Sequence, residues 1–269
     1  MDQITAHGMH MPKLGLGTWK MKGAACTAAV SHALSIGYRH IDTAEMYGNE
    51  ADVGVALAAV PRADVHVTSK VWYENVAADA MDRAIDATLA RLGTAYVDLY
   101  LIHWPAPGMD IRAAVAALVR VQESGRARAI GVSNFTVALL TEATAGGAPI
   151  ACNQVEYHVL LDQSALLAAC RAQGVALAAY APLAQGRLAE HEELAAIAHK
   201  HGATPAQVAL RWLLDQDGVA AIPKAERPET QAANLDALRI VLDDTDRAVI
   251  AMLPKGRRFV NPGWAPAWD

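Results

Sequence analysis

The stretch Gly37 to Glu50, GYRHIDTAEMYGNE, decides how the rest of the chain reads. A short apolar run ends at Ile41, and an acid and a phenol follow it, Asp42 and Tyr47, with Glu50 as a third chemical neighbour. A strand stopping at Ile41 leaves Asp42 on its carboxyl edge and Tyr47 in the loop or first turn of the next helix. Parallel α/β folds carry their reactive groups at that edge. An acid beside a phenol suggests proton chemistry only if a cation lies close by, because a phenol with a pKa of about 10 is a poor acid until its anion is stabilised.

Working outward, short apolar runs alternate with helical patterns and no linker interrupts them. The strands expected are Leu14 to Gly17, His40 to Asp42, His66 to Val71, Val97 to Ile102, Ala129 to Ser133, Cys152 to Val155, Ala176 to Tyr180 and Val219 to Ile222. Between them the pattern predicts helices over 23–35, 49–58, 77–92, 111–123, 137–145, 163–173, 204–215 and 228–238. Thr204-Pro205-Ala206-Gln207 offers a cap, a proline at the first helical position and a glutamine three residues on, so a helix starts there. Two extra helices are expected, over 190–201 and 243–252, and a small hairpin from Gln3–Thr5 and Met9–Met11 that plugs the barrel bottom. Eight βα units in 269 residues favour a (β/α)8 TIM barrel forming one domain over 1–269, rather than an open doubly wound sheet. GLGTWK at Gly15 to Lys20 begins like a dinucleotide fingerprint but has Lys20 where the third glycine belongs, which opposes a Rossmann site.

Composition excludes several classes. A formal charge of −5, from 23 basic and 28 acidic residues, gives no field for nucleic acid and no polybasic membrane patch. Three widely spaced cysteines, Cys26, Cys152 and Cys170, indicate neither a disulfide framework nor a structural zinc site. Without a signal-peptide core or a charge-free run of roughly 18 apolar residues, a cytoplasmic protein is expected. A small soluble ligand is the expected partner, and a monomer the expected state.

A barrel should gather at its carboxyl rim the polar residues its apolar core cannot justify. In chain order these are Asp42, Lys70, His103, Ser133 with Asn134, Gln154, Tyr180 and Lys224. Buried Lys70 needs a partner, and Asp42 on the neighbouring strand end is the natural one. That pair alone would serve equally as a structural ion pair; Tyr47 and His103 on the same rim favour catalysis. His103 ends a strong strand and is followed by Trp104-Pro105, where a neutral imidazole could donate to a substrate oxygen. A metal site is not expected: His40 and His66 precede their strand ends, and the HExxH-like string at His191-Glu192 has Ala195 in its ligand position.

Several strings in order now carry a family resemblance: MPKLGLGTW at Met11 to Trp19, the opening stretch, VTSKVW at Val67 to Trp72, YVDLYLIHWP at Tyr96 to Pro105, IGVSNF at Ile130 to Phe135 and NQVEYH at Asn153 to His158. The chain resembles an aldo-keto reductase, and its tail VNPGWAPAWD at Val260 to Asp269 is similar to the small bacterial branch that includes 2,5-diketo-D-gluconate reductases. The resemblance implies an NADP-dependent carbonyl reductase with the tetrad Asp42, Tyr47, Lys70 and His103. It also implies a carboxamide site at Ser133, Asn134 and Gln154, with Tyr180 stacked on the nicotinamide and Thr18, Asp42 and Leu183 along the cofactor. Lys224, Arg227 and Asn234 would serve the adenosine end. There the chain departs from the family, with Ala225, Thr230 and Ala233 where serine, arginine and glutamate are usual. NADPH is expected, with NADH possible. Trp19, Trp72, Trp104 and Trp264 would form an apolar substrate wall suited to small aldehydes, α-dicarbonyls and keto sugars such as 2,5-diketo-D-gluconate. A barrel that binds the nucleotide and regulates without catalysis is the alternative, since fold does not fix function.

Overall fold

The computed structural model describes residues 2–269. A two-stranded antiparallel hairpin, β1 (Gln3–Ala6) and β2 (Met9–Pro12), comes first. Eight parallel strands follow: β3 (Leu16–Gly17), β4 (His40–Asp42), β5 (His66–Val71), β6 (Val97–Ile102), β7 (Ala127–Ser133), β8 (Ile150–Glu156), β9 (Ala176–Tyr180) and β10 (Val219–Ala221). They are hydrogen-bonded in unbroken chain order from β3 to β10. The sheet closes on itself at a seam, where Leu14 bridges Ala221 and Gly17 bridges Lys224. The fold is therefore the expected (β/α)8 barrel.

The seam explains the strand that falls furthest short of its pattern, β10 ending just one residue early at Ala221. Leu14 to Gly17 reads as one strand, but only Leu16 and Gly17 pair with β4, while Leu14 turns to β10 and the Gly15 amide donates to the Ala221 carbonyl at 2.9 Å. Gly17 is needed at this close approach, since a Cβ there would lie 2.8 Å from the Ile222 carbonyl oxygen.

The helices cover the barrel outside: α1 (Gly23–Ser35), α2 (Glu50–Leu57), α3 (Ala78–Leu92), α4 (Ile111–Glu123), α5 (Val137–Thr144), α6 (Ser164–Ala172), α8 (Pro205–Leu214) and α9 (Pro228–Asp236). The additional helices are α7 (Glu192–Lys200) and α10 (Asp244–Ala251). Thr204 caps α8 in the expected box, accepting from the Gln207 amide while the Gln207 side chain returns to the cap. His201 and Lys200 tie α7 to α10 through Asp246, at 2.7 and 2.8 Å.

Strand alternation sorts the side chains into two cores. Tyr100 and Ile102 join the layer beneath the helices, whereas Leu99 and Leu101 turn into the barrel with Met9 and Met11 of the hairpin and a set of alanines, among them Ala129, Ala176 and Ala178. The hairpin thus closes the amino-terminal end, as expected. His40 and His66 belong to that end: their Nδ1 atoms lie 3.2 Å from the Pro12 carbonyl and 3.1 Å from the His10 carbonyl. The inward alternation of Leu99 and Leu101 delivers the next inward position, His103, to the opposite rim.

Candidate active site

Asp42, Lys70 and Tyr47 meet at the carboxyl end of β4 and β5. Lys70 is fully buried, and its ammonium donates to Asp42 Oδ1 at 2.5 Å, to the Thr43 carbonyl at 2.9 Å and to the Tyr47 hydroxyl at 3.3 Å. Three donors thus have three acceptors, which is what a buried ammonium requires. Burial works against the charge on Lys70, but Asp42 and then Tyr47 outweigh it and hold its pKa above the usual lysine range. Asp42 is itself fixed: Gln154 Nε2 donates to Oδ2 at 2.6 Å, and the Thr18 hydroxyl donates to its backbone carbonyl at 3.0 Å.

Tyr47 ends a 3-10 turn over Glu45–Tyr47 that precedes α2. Burial raises its phenol above the ordinary range, and the Lys70 charge opposes that rise. The Trp19 ring packs 4.8 Å from the Tyr47 ring, and the imidazole of His103 lies edge-on at 5.5 Å. His103 is buried and held neutral, its pKa far below the usual range because of burial and then the nearby Lys70 charge. Its Nδ1 has no partner, so the ring is not committed to the protein by that atom.

A second group of polar residues forms a belt beside this centre. Asn134 adopts a left-handed backbone, φ 65°, which asparagine tolerates. Its amide donates to the His103 carbonyl at 3.0 Å and the Ser133 hydroxyl at 3.1 Å, and its Oδ1 accepts from the Tyr180 hydroxyl at 2.7 Å. The Ser133 hydroxyl in turn donates to the Gln154 carbonyl at 2.8 Å. Tyr180 is therefore held by its hydroxyl, with its ring on the cavity.

One cavity of about 720 Å³ joins these groups. Asp42, Tyr47, His103, Asn134, Gln154 and Tyr180 border it, as do Thr18, Trp19, Trp104, Leu183 and Lys224. Other expected site residues lie off its wall. Lys70 stands behind Asp42 and Tyr47, and Ser133 behind Asn134. Asn234 is buried in α9, and Arg227 is exposed at the cap of that helix. Trp72 and Trp264 flank the mouth: Trp72 packs 5.4 Å from His103 and 5.9 Å from Trp264, which lies 5.0 Å from Trp104. Glu50, grouped with Asp42 and Tyr47 from sequence, turns away; it accepts from Ser69 at 2.5 Å and from Arg91 Nε at 2.7 Å.

Four participants escaped the sequence reading. Thr43 contributes only a carbonyl, to which its side chain is no guide. Glu45 accepts from the Trp72 amide at 2.9 Å and Asn75 at 2.8 Å, and so sets the position of Trp72. Glu226 pairs with Lys224 at 2.8 Å. The loop after β9 lines the cavity with positive-φ backbone at Ala181 and Gln185, a strain that neither residue type advertises. Among the described residues no group of three or more His, Cys, Asp or Glu could hold a metal, and no helix is long and apolar enough to cross a membrane.

The cavity's chemistry fits a nicotinamide nucleotide: a fixed aromatic face at Tyr180, amides at Asn134 and Gln154, and two cations, Lys20 and Lys224, for phosphates. The comparisons with known proteins agree. Residues 13–253 match the model of the aldo/keto reductase family. The chain is 41% identical over 268 residues to methylglyoxal reductase DkgB of Salmonella typhi, covering 97% of this chain and 100% of that protein. It is 41% identical over 264 residues to the glyoxal reductase of Bacillus subtilis, covering 96% and 94%. A crystal structure provisionally assigned as 2,5-diketo-D-gluconic acid reductase B superposes with a TM-score of 0.96 at 40% identity, covering 100% of this chain and 98% of that one. The chain belongs to the aldo/keto reductase family. Its class is thus that of oxidoreductases acting on carbonyl groups with nicotinamide cofactors.

Proposed function

We propose that this protein reduces small aldehydes and α-dicarbonyls, methylglyoxal among them, to alcohols with NADPH, using Tyr47 as the general acid. The observation that supports this reading most directly is the fully buried Lys70 ammonium held between Asp42 Oδ1 and the Tyr47 hydroxyl. When bound, the reduced nicotinamide supplies a hydride to the carbonyl carbon.

The chain's own residues supply the proton and the field. Tyr47 gives its hydroxyl proton to the carbonyl oxygen, and the Lys70 charge, 3.3 Å away, stabilises the phenolate left behind. Asp42 keeps Lys70 charged and aimed. His103, neutral because of its burial, can donate to the same oxygen without competing for the proton. Tyr180, Asn134 and Gln154 orient the cofactor's ring, with Ser133 bracing Asn134. The tryptophans at positions 19, 72, 104 and 264 exclude water from the carbonyl and favour compact substrates. The names of the methylglyoxal and glyoxal reductase relatives support the α-dicarbonyl choice. Keto sugars such as 2,5-diketo-D-gluconate form the next class of candidate.

The test is a carbonyl panel run separately with NADPH and NADH, following cofactor absorbance. Methylglyoxal and short aldehydes should consume cofactor and bulky steroid ketones should not. Absence of cofactor consumption across the panel, by folded protein, would overturn the assignment.

A further inference from the structure

Two cations on the cavity take no part in the proton transfer assigned to Tyr47. Lys20 and Lys224 are the two cations that border the cavity among the described residues. Lys20 follows Trp19, whose ring packs on Tyr47, so it belongs near the reacting end. Lys224 sits across the seam, its backbone bridged to Gly17, at the start of the loop that leads into α9. That loop carries a carboxylate two residues on. Glu226 Oε2 accepts from Lys224 Nζ at 2.8 Å, and the side chains are 43% and 45% exposed.

We propose that Glu226 is a cofactor-specificity residue, which holds Lys224 and thereby withholds that cation from the 2′-phosphate that distinguishes NADPH from NADH. The proposal rests on the reading of the cavity as a nicotinamide-nucleotide site and refines its adenosine end. A 2′-phosphate carries nearly two negative charges near neutral pH and gains most from a free cation in contact. Here such a phosphate must first displace a carboxylate of its own sign, and in the first turn of α9 it meets Thr230 rather than an arginine, leaving the exposed Arg227 at the cap of that helix to offset the carboxylate only in part. A ribose with a free 2′-hydroxyl meets no such competition. The carboxylate thus subtracts from NADPH and leaves NADH nearly untouched, so that the margin between the two cofactors is small. Because the pair is half exposed and screened by salt, the effect is modest, about three- to fivefold.

Equilibrium binding tests this without turnover, by quenching of tryptophan fluorescence on titration with NADPH or NADH at low and high salt. The parent, Glu226→Gln, Lys224→Met and the double variant are compared, each checked for folding by circular dichroism. Glu226→Gln should tighten NADPH about three- to fivefold at low salt and change NADH less than twofold. The NADPH gain should shrink at high salt, and it should be lost when Lys224 is already methionine. An unchanged NADPH to NADH ratio in Glu226→Gln would overturn the proposal alone, as would an equal gain for both cofactors or a full gain without Lys224. Failure of the parent to bind either nucleotide would instead overturn the cavity reading, and the proposal with it.

Discussion

The two ends of the cavity carry the same chemical motif, a lysine paired with a carboxylate, and differ in nearly everything that gives such a pair its weight. Lys70 and Asp42 are shut away from water, and each further polar contact is made by the protein. Lys224 and Glu226 are almost half exposed, and Glu226 faces solvent as much as it faces lysine. In the interior the pair is costly to build and costlier to break, because one partner removed leaves a bare charge. At the surface, water replaces whatever is removed. The inner pair is therefore suited to chemistry that must not vary, and the outer one to a preference that can.

The largest effect should come from Lys70→Met. On the proposed mechanism it removes the charge that would stabilise a Tyr47 phenolate, and it strands Asp42, so turnover should fall by at least about 10²-fold and stability by about 3 to 5 kcal/mol. The matching change outside, Lys224→Met, should alter stability by no more than about 0.5 kcal/mol. Denaturant melts of the two variants, side by side, read the contrast; equal stability losses would break it.

Acid should also separate the two regions. His40, His66 and His103 are held neutral by burial, with pKa values lowered below the usual histidine range. As pH falls through about 6.5 the unfolded chain takes up protons at these three positions and the folded chain does not, so the unfolded state binds more protons and stability falls. Each group contributes a slope that rises toward about 1.4 kcal/mol per pH unit as pH drops below about 6.5, until its own folded pKa is reached. The outer pair adds none in this window, because Lys224 holds the Glu226 carboxyl below its ordinary value and it stays ionised. Thermal melts from pH 7 to pH 5.5 should show a falling Tm, less steep in His66→Gln. A flat profile would contradict the neutral interior.

A smaller effect than these is expected at Thr230. Thr230→Arg places a guanidinium in the first turn of α9, beside the end assigned to the 2′-phosphate, and should tighten NADPH by up to about tenfold while scarcely changing NADH. Equal tightening of both would point to stacking on adenine, and no change would place the residue away from the phosphate.

How far the site could be read from sequence follows the same division. Asp42, Lys70 and His103 were legible because each closes an apolar strand pattern, and alternation along β6 carries Leu99, Leu101 and His103 to one face. The barrel was legible for the same reason, as eight such patterns recur at βα spacing. The seam was not, because closure depends on how Leu14 and Gly17 are shared between β4 and β10, which no local pattern records. Glu50 sits on the same short stretch as Asp42 and Tyr47, yet it begins α2 and pairs outward with Arg91. Only the path of the turn between them decides that. Glu226 was missed because an exposed acid in a loop has no periodicity to betray its partner.

The central claim is that Tyr47, with Lys70 stabilising the phenolate it leaves, delivers the proton. It is tested most directly by measuring NADPH binding and methylglyoxal reduction in the parent and in Tyr47→Phe, which keeps the ring against Trp19 and His103 and deletes only the hydroxyl. Cofactor affinity should change less than twofold while turnover falls by about 10²- to 10⁴-fold. Near-parental reduction by the variant, with NADPH bound as tightly as before, would contradict the account.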